Sequence, residues 1–213
     1  MTMPPETGEG DSNWYLLMDP GWAPAAEETE PPLASIMGLW AVGEDGELGR
    51  FRANPEYAPS DPNAPADPLD GLFRLLTARR AEPDQVRLLL RDSEVEVALG
   101  PGGGPLVVRS PDDVACLLVA TSPAYRLASD KVGSWWRTGV EGLVDLLPDG
   151  TDVLFNPGSP GSLRLVANFV RSARKPSAEQ LASARTSLPT AAGEDLRLLA
   201  WRIEAEPNGE ETR

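Results

Sequence analysis

The 213-residue chain contains no histidine. Without an imidazole there can be no Ser-His-Asp triad, no Cys-His pair, no histidine general base and no histidine-ligated zinc or iron. Cys116 is the only cysteine, which excludes an internal disulfide framework and any CxxC site. No stretch approaches eighteen consecutive apolar residues, so no segment is expected to span a bilayer. The opening MTMPPETGEGD lacks the basic and apolar regions of a signal peptide. The expected compartment is the cytoplasm.

Basic clusters are missing too. The net charge is −14, from 33 acidic and 19 basic residues. Residues 1–35 hold seven acids and no Lys or Arg, whereas residues 36–175 are nearly balanced, with nineteen acids and fifteen bases. Nucleic acids and anionic membranes are bound by clustered Lys and Arg that displace counterions. The chain has no such cluster, so neither nucleic-acid binding nor membrane insertion is expected. An acidic surface favours solubility and basic protein partners.

The hydrophobic share of 41% suffices for a core. The pattern divides the chain into an acidic Pro/Glu-rich arm or linker (1–35), an α+β domain (36–206) and a polar tail (207–213). Within the arm, Trp14–Met18 is an apolar island, either a strand of the domain or a loose docking peptide. Met37–Val42 and Glu47–Ala53 flank a Gly/Asp turn and read as a hairpin. Five prolines between Pro55 and Pro68 forbid a regular element. Asp67 is the expected N-cap of a helix with Pro68 at its first position, and Leu69, Leu72, Phe73 and Leu76 face the core. A second helix runs from Pro83 to Arg91.

Val95–Leu99 and Leu106–Arg109 are strands joined by a Gly-rich loop. That loop lacks the Lys-Ser/Thr ending and following helix of a phosphate-binding loop. Asp113–Thr121 is continuously apolar, as for a central strand buried on both faces, with Cys116 a small buried hydrophobe inside it. Thr138-Gly139-Val140-Glu141 has the form of a capping box. Asp152–Asn156 and Leu163–Val166 are strands, helices follow near Ala167–Ala173 and from Ser177, and Arg197–Ala205 alternates like a last strand. Without regular βα alternation the class is α+β, a single mixed-sheet domain with flanking helices.

Little in this pattern carries chemistry. The pairs Asp112-Asp113 and Glu194-Asp195 sit beside loops and read as solvated turn residues. No catalytic, cofactor-binding or metal-binding residues are expected. Two segments are candidate partner-binding sites. Trp135 and Trp136 are adjacent, so in a strand they face opposite sides, and an outward indole suits a protein interface. Asn156, Pro157, Gly158, Ser159 and Pro160 form a double turn whose backbone donors could meet a partner. Tyr57 and Asp61 fit a Tyr-x-x-x-Asp export signal, but the surrounding prolines forbid the helix that such a signal requires.

The runs VACLLVATSPAYRLA (114–128) and GVEGLVDLLPDGTDVLFNPGSPGSLRL (139–165) resemble the SseB-type (enhanced serine sensitivity) domain. Thr121-Ser122-Pro123 and Asn156–Pro160 match its two motifs, whereas Ala120 and Tyr125 depart from it. With GELGRFRANPEYAPSDP (46–62), the chain is similar over residues 14–172 to actinobacterial type VII secretion system-associated proteins. Seventeen arginines against two lysines fit such a source. The resemblance implies a non-enzymatic cytoplasmic accessory protein that acts through protein–protein binding. Its partner would be a secretion component, a secreted substrate or a toxin, and the family supplies no catalytic residues. The alternative is an immunity or neutralising protein for a secreted toxin, since an acidic inhibitor can mask a basic active site.

Overall fold

The computed structural model describes residues 12–22, 31–43, 48–186 and 198–203. The first elements are β1 (Ser12–Met18), a 3-10 turn at Leu33–Ser35, β2 (Ile36–Val42) and β3 (Leu48–Ala53). The Trp14–Met18 island is therefore a strand. Helices α1 (Pro68–Thr77) and α2 (Pro83–Asp92) follow, then β4 (Val95–Leu99), β5 (Val107–Arg109) and β6 (Ala115–Ala120). Beyond a 3-10 turn at Pro123–Tyr125 come β7 (Ser134–Thr138), α3 (Val140–Leu146), β8 (Asp152–Phe155) and β9 (Leu163–Leu165). Helices α4 (Ala167–Ala173) and α5 (Ala178–Thr186) and strand β10 (Leu198–Ile203) complete the order. The expected tail (207–213), the Gly/Asp hairpin turn (43–46) beyond Gly43, the Glu47 start of its second strand, the arm residues 1–11 and 23–30, and the Glu194-Asp195 pair lie outside the described residues.

Local chemistry accounts for the helix boundaries. Asp67 caps α1 by accepting the Asp70 N–H at 3.0 Å, and Pro68 supplies the preset φ of the first turn. In α2, Gln85 reaches back to the Glu82 N–H at 2.8 Å behind Pro83, and Ser93 closes the far end on the Leu89 carbonyl. Ser177 and Gln180 bond each other's backbone N–H groups reciprocally at the start of α5. The Thr138 cap is a correction. Gly139 occupies the N-cap of α3, because Thr138 is still paired with Val95 as the last residue of β7.

Two sheets result. β10, β1, β2 and β3 form an antiparallel sheet in that order. The second has six strands: β7, β4, β6, β8 and β9 in order, with β5 also on β6. The β6–β8 pair is parallel and the other pairs antiparallel. This mixed sheet with segregated helices makes the fold α+β, as expected from the pattern. Side chains alternate across β6: Leu117 and Val119 join the main core, and Cys116 and Leu118 are buried on the other face. That core connects Met37, Trp40 and Phe51 of the first sheet through Leu72, Phe73 and Leu89 to Val97, Leu117 and Phe155 of the second. Trp40 and Phe51 pack with tilted rings 4.6 Å apart. Among the described residues, no helix is long and apolar enough to cross a membrane.

Candidate functional site

Strand direction decides which loops meet. β4 runs antiparallel to β6 and β7, and β8 runs parallel to β6. The carboxyl ends of β6, β7 and β8 therefore share one end of the sheet with the start of β4. Thr121-Ser122-Pro123 and Asn156–Pro160, far apart in sequence, leave the sheet side by side at that end.

Asn156 joins them. Its φ of +47° lies in the left-handed region that asparagine tolerates better than most residues. It is fully buried, its Oδ1 accepts the Thr121 N–H at 2.9 Å, and its Nδ2 donates to the Thr121 hydroxyl at 2.8 Å. The Thr121 hydroxyl donates in turn to Asp67 Oδ2 at 2.6 Å. This relay ties the exits of β8 and β6 to the entry of α1. Burial pushes the Asp67 carboxyl above the usual range, although the Thr121 hydroxyl and the Asp70 N–H oppose the shift.

Asn156 is therefore spent inside the fold. Gly158 (φ +82°) and Pro160 are exposed, and Pro157 and Ser159 are half-buried. Two successive turns, Ser159 N–H to Asn156 O and Ser162 N–H to Ser159 O, hold the loop rigid.

A cleft of about 360 Å³ opens at the same end, between Phe51 and Ala53 of β3 and the Thr121–Pro123 turn. Asp67, Pro68 and Leu69 line it, and Asp92, Glu94 and Glu96 add carboxylates to the lining. These acids are already engaged. Asp92 accepts the Phe51 N–H at 2.9 Å and pairs with Arg91, Glu96 holds the Arg126 guanidinium with both oxygens, and Glu94 pairs with Arg137. Among the described residues, no group of three or more His, Cys, Asp or Glu converges to hold a metal ion. The cleft offers shape, hydroxyl groups and fixed charges.

The Pro-rich connector behind the cleft is strapped to α1. Tyr125 donates to Asp70 and accepts the Ala66 N–H at 3.1 Å, and Arg74 pairs with the same buried Asp70. Burial, then the Asp70 carboxylate, pushes the Tyr125 phenol up to about 12. Tyr57 donates to the Pro65 carbonyl at 2.7 Å, and burial, reinforced by Asp19, raises its phenol further. Tyr125 thus has a structural task.

Trp135 and Trp136 lie on β7, which among the described residues is the last strand on that side of the sheet. Trp136 pairs with Val97 and faces the helices, close to Gly142 of α3, yet it stays 44% exposed because the sheet ends there. Trp135 pairs with Ala98 on the opposite face and is half-buried. Sequence reasoning missed the cleft. Glu96 was its visible trace, a charged residue set into the apolar strand VEVAL. Comparison of the chain with family models, with curated proteins and with solved structures finds no match.

Proposed function

We propose that the protein is a non-enzymatic cytoplasmic accessory protein, of the kind associated with type VII secretion, that acts by binding another protein. One observation carries the reading. The two motifs of the family resemblance, separated in sequence, are locked together by Asn156 and Thr121 at one end of the sheet, beside a cleft. A rigid loop with an exposed Gly158 and Pro160 follows β8, and a half-exposed indole at Trp136 lies three strands along the same sheet on β7; exposed aromatics and fixed polar groups are what binding hot spots use.

The test is photo-crosslinking of the full chain in its native host. A crosslinker at Pro160 is expected to trap a protein that a crosslinker at Gly103, in the loop at the other end of β4, does not. Equal labelling from both positions, or none, overturns the proposal. A secretion component or substrate in the trapped band supports the accessory role, and a toxin supports the neutralising one.

A further inference from the structure

The edge strand β7 reads Ser134-Trp135-Trp136-Arg137-Thr138, with no acidic residue, in a chain of net charge −14. Exposed edges are normally blunted by lysine, proline, a bulge or a covering segment. Arg137 is the single charge here, and the β4–β7 register is continuous from Val95–Thr138 to Leu99–Ser134.

We propose that this edge pairs with the same edge of a second copy, antiparallel about Trp136, so that two six-stranded sheets become one. The proposal rests on reading this end of the molecule as a protein-binding surface and names the occupant of its β7 side. Self-complementarity selects both occupant and register. Centred on Trp136, the pairing sets Trp136 against its counterpart, Trp135 against Arg137 and Ser134 against Thr138. Trp135 and Arg137 share the face of Glu96 and Ala98, so each guanidinium, ion-paired with Glu94 of its own chain through one nitrogen, lies opposite the other copy's indole and can stack on it, a cation–π pair repeated by the two-fold axis. On the helix face the two exposed Trp136 rings cover each other. A register centred on Arg137 would oppose two guanidinium groups, and one centred on Trp135 would spend Trp136 on Ser134. Only the Trp136 register pairs every large side chain with a complementary one.

Sedimentation of the full chain over a range of micromolar concentrations tests the pairing. The mass is expected to rise from 22.8 kDa toward twice that value, and Trp136→Lys is expected to remain a folded monomer. If Trp136→Lys does not fold, Arg137→Glu at an exposed position serves instead, with dimerisation about tenfold weaker from loss of the two cation–π contacts. Register is read by mixing Ser134→Cys with Thr138→Cys and adding a short bismaleimide, which should join the mixture but neither variant alone. A monomer at all concentrations, or a dimer indifferent to these changes, overturns self-pairing. A monomer that still traps another protein from residue 160 leaves the partner-binding reading standing. A dimer that traps nothing does the reverse.

Discussion

Gly161 lies so close to Asp70 that a β-carbon on it would stand 1.7 Å from the carboxylate Oδ1 and 2.9 Å from Cγ. Asp70 cannot give way, being fully buried and held by both Tyr125 and Arg74. The Asn156 loop is therefore gripped at both ends, by Thr121 where it leaves β8 and by α1 where it returns. Gly161→Ala should cost about 1–3 kcal/mol, the usual range for overpacking a filled site. Urea unfolding checks this, and an unchanged midpoint would show that α1 can shift.

Replacing Asn156 separates bonding from backbone conformation. Asn156→Gly keeps the left-handed φ but leaves the Thr121 N–H without its acceptor, at a cost of about 1–3 kcal/mol. Asn156→Ala loses the same bonds and adds left-handed strain of about 1–2 kcal/mol. Glycine should thus be the milder change by thermal or urea melts. Equal losses would mean that the backbone there is not under constraint.

Stability should fall in strong alkali. The Tyr125 phenol is raised to about 12 in the folded protein, against 10.0 ordinarily, because its anion would be buried beside Asp70. A raised acid contributes stability that is complete below its unfolded value and is lost as pH climbs through the folded one. The loss should therefore fall between about pH 10 and 12. Tyr125→Phe should flatten the decline in urea midpoint over that window, and Tyr57→Phe should add to the effect. A decline unaltered by both changes would place its origin elsewhere.

Cys116 should resist a bulky thiol reagent in the native protein. Its side chain is fully buried, and burial pushes the thiol up, away from the reactive thiolate. Labelling should appear only as urea unfolds the chain, tracking the circular dichroism transition. Fast native labelling would show that β6 opens readily.

Features set by neighbours in the chain were legible, and those set by distant partners were not. Asp67 and Pro68 announce α1 because capping acts within three residues, and the apolar run through Cys116 announces a strand buried on both faces. Thr138 misled for the same reason. Its capping pattern is local, but its place is fixed by Val95, forty-three positions away. Asn156 reads as a loop residue with groups to spare until Thr121, thirty-five positions earlier, takes both ends of its amide. The cleft was invisible because its walls come from β3, α1, α2, β4, the turn after β6, and β7, which only the fold assembles.

The place of β1 bears on how the chain is made. Ser12–Met18 is flanked by β2, its neighbour in sequence, and by β10, whose residues lie about 180 positions downstream (Leu17 opposite Leu198). At ~5–20 residues per second, a ribosome takes roughly 10–40 s to deliver that second neighbour. Throughout that interval the nascent β1 carries one bare hydrogen-bonding edge, beside Leu16, Leu17 and Met18, which end up buried. A chain truncated before residue 198 would lack the partner for this edge, and such fragments are expected to aggregate or be captured by chaperones more readily than the full chain.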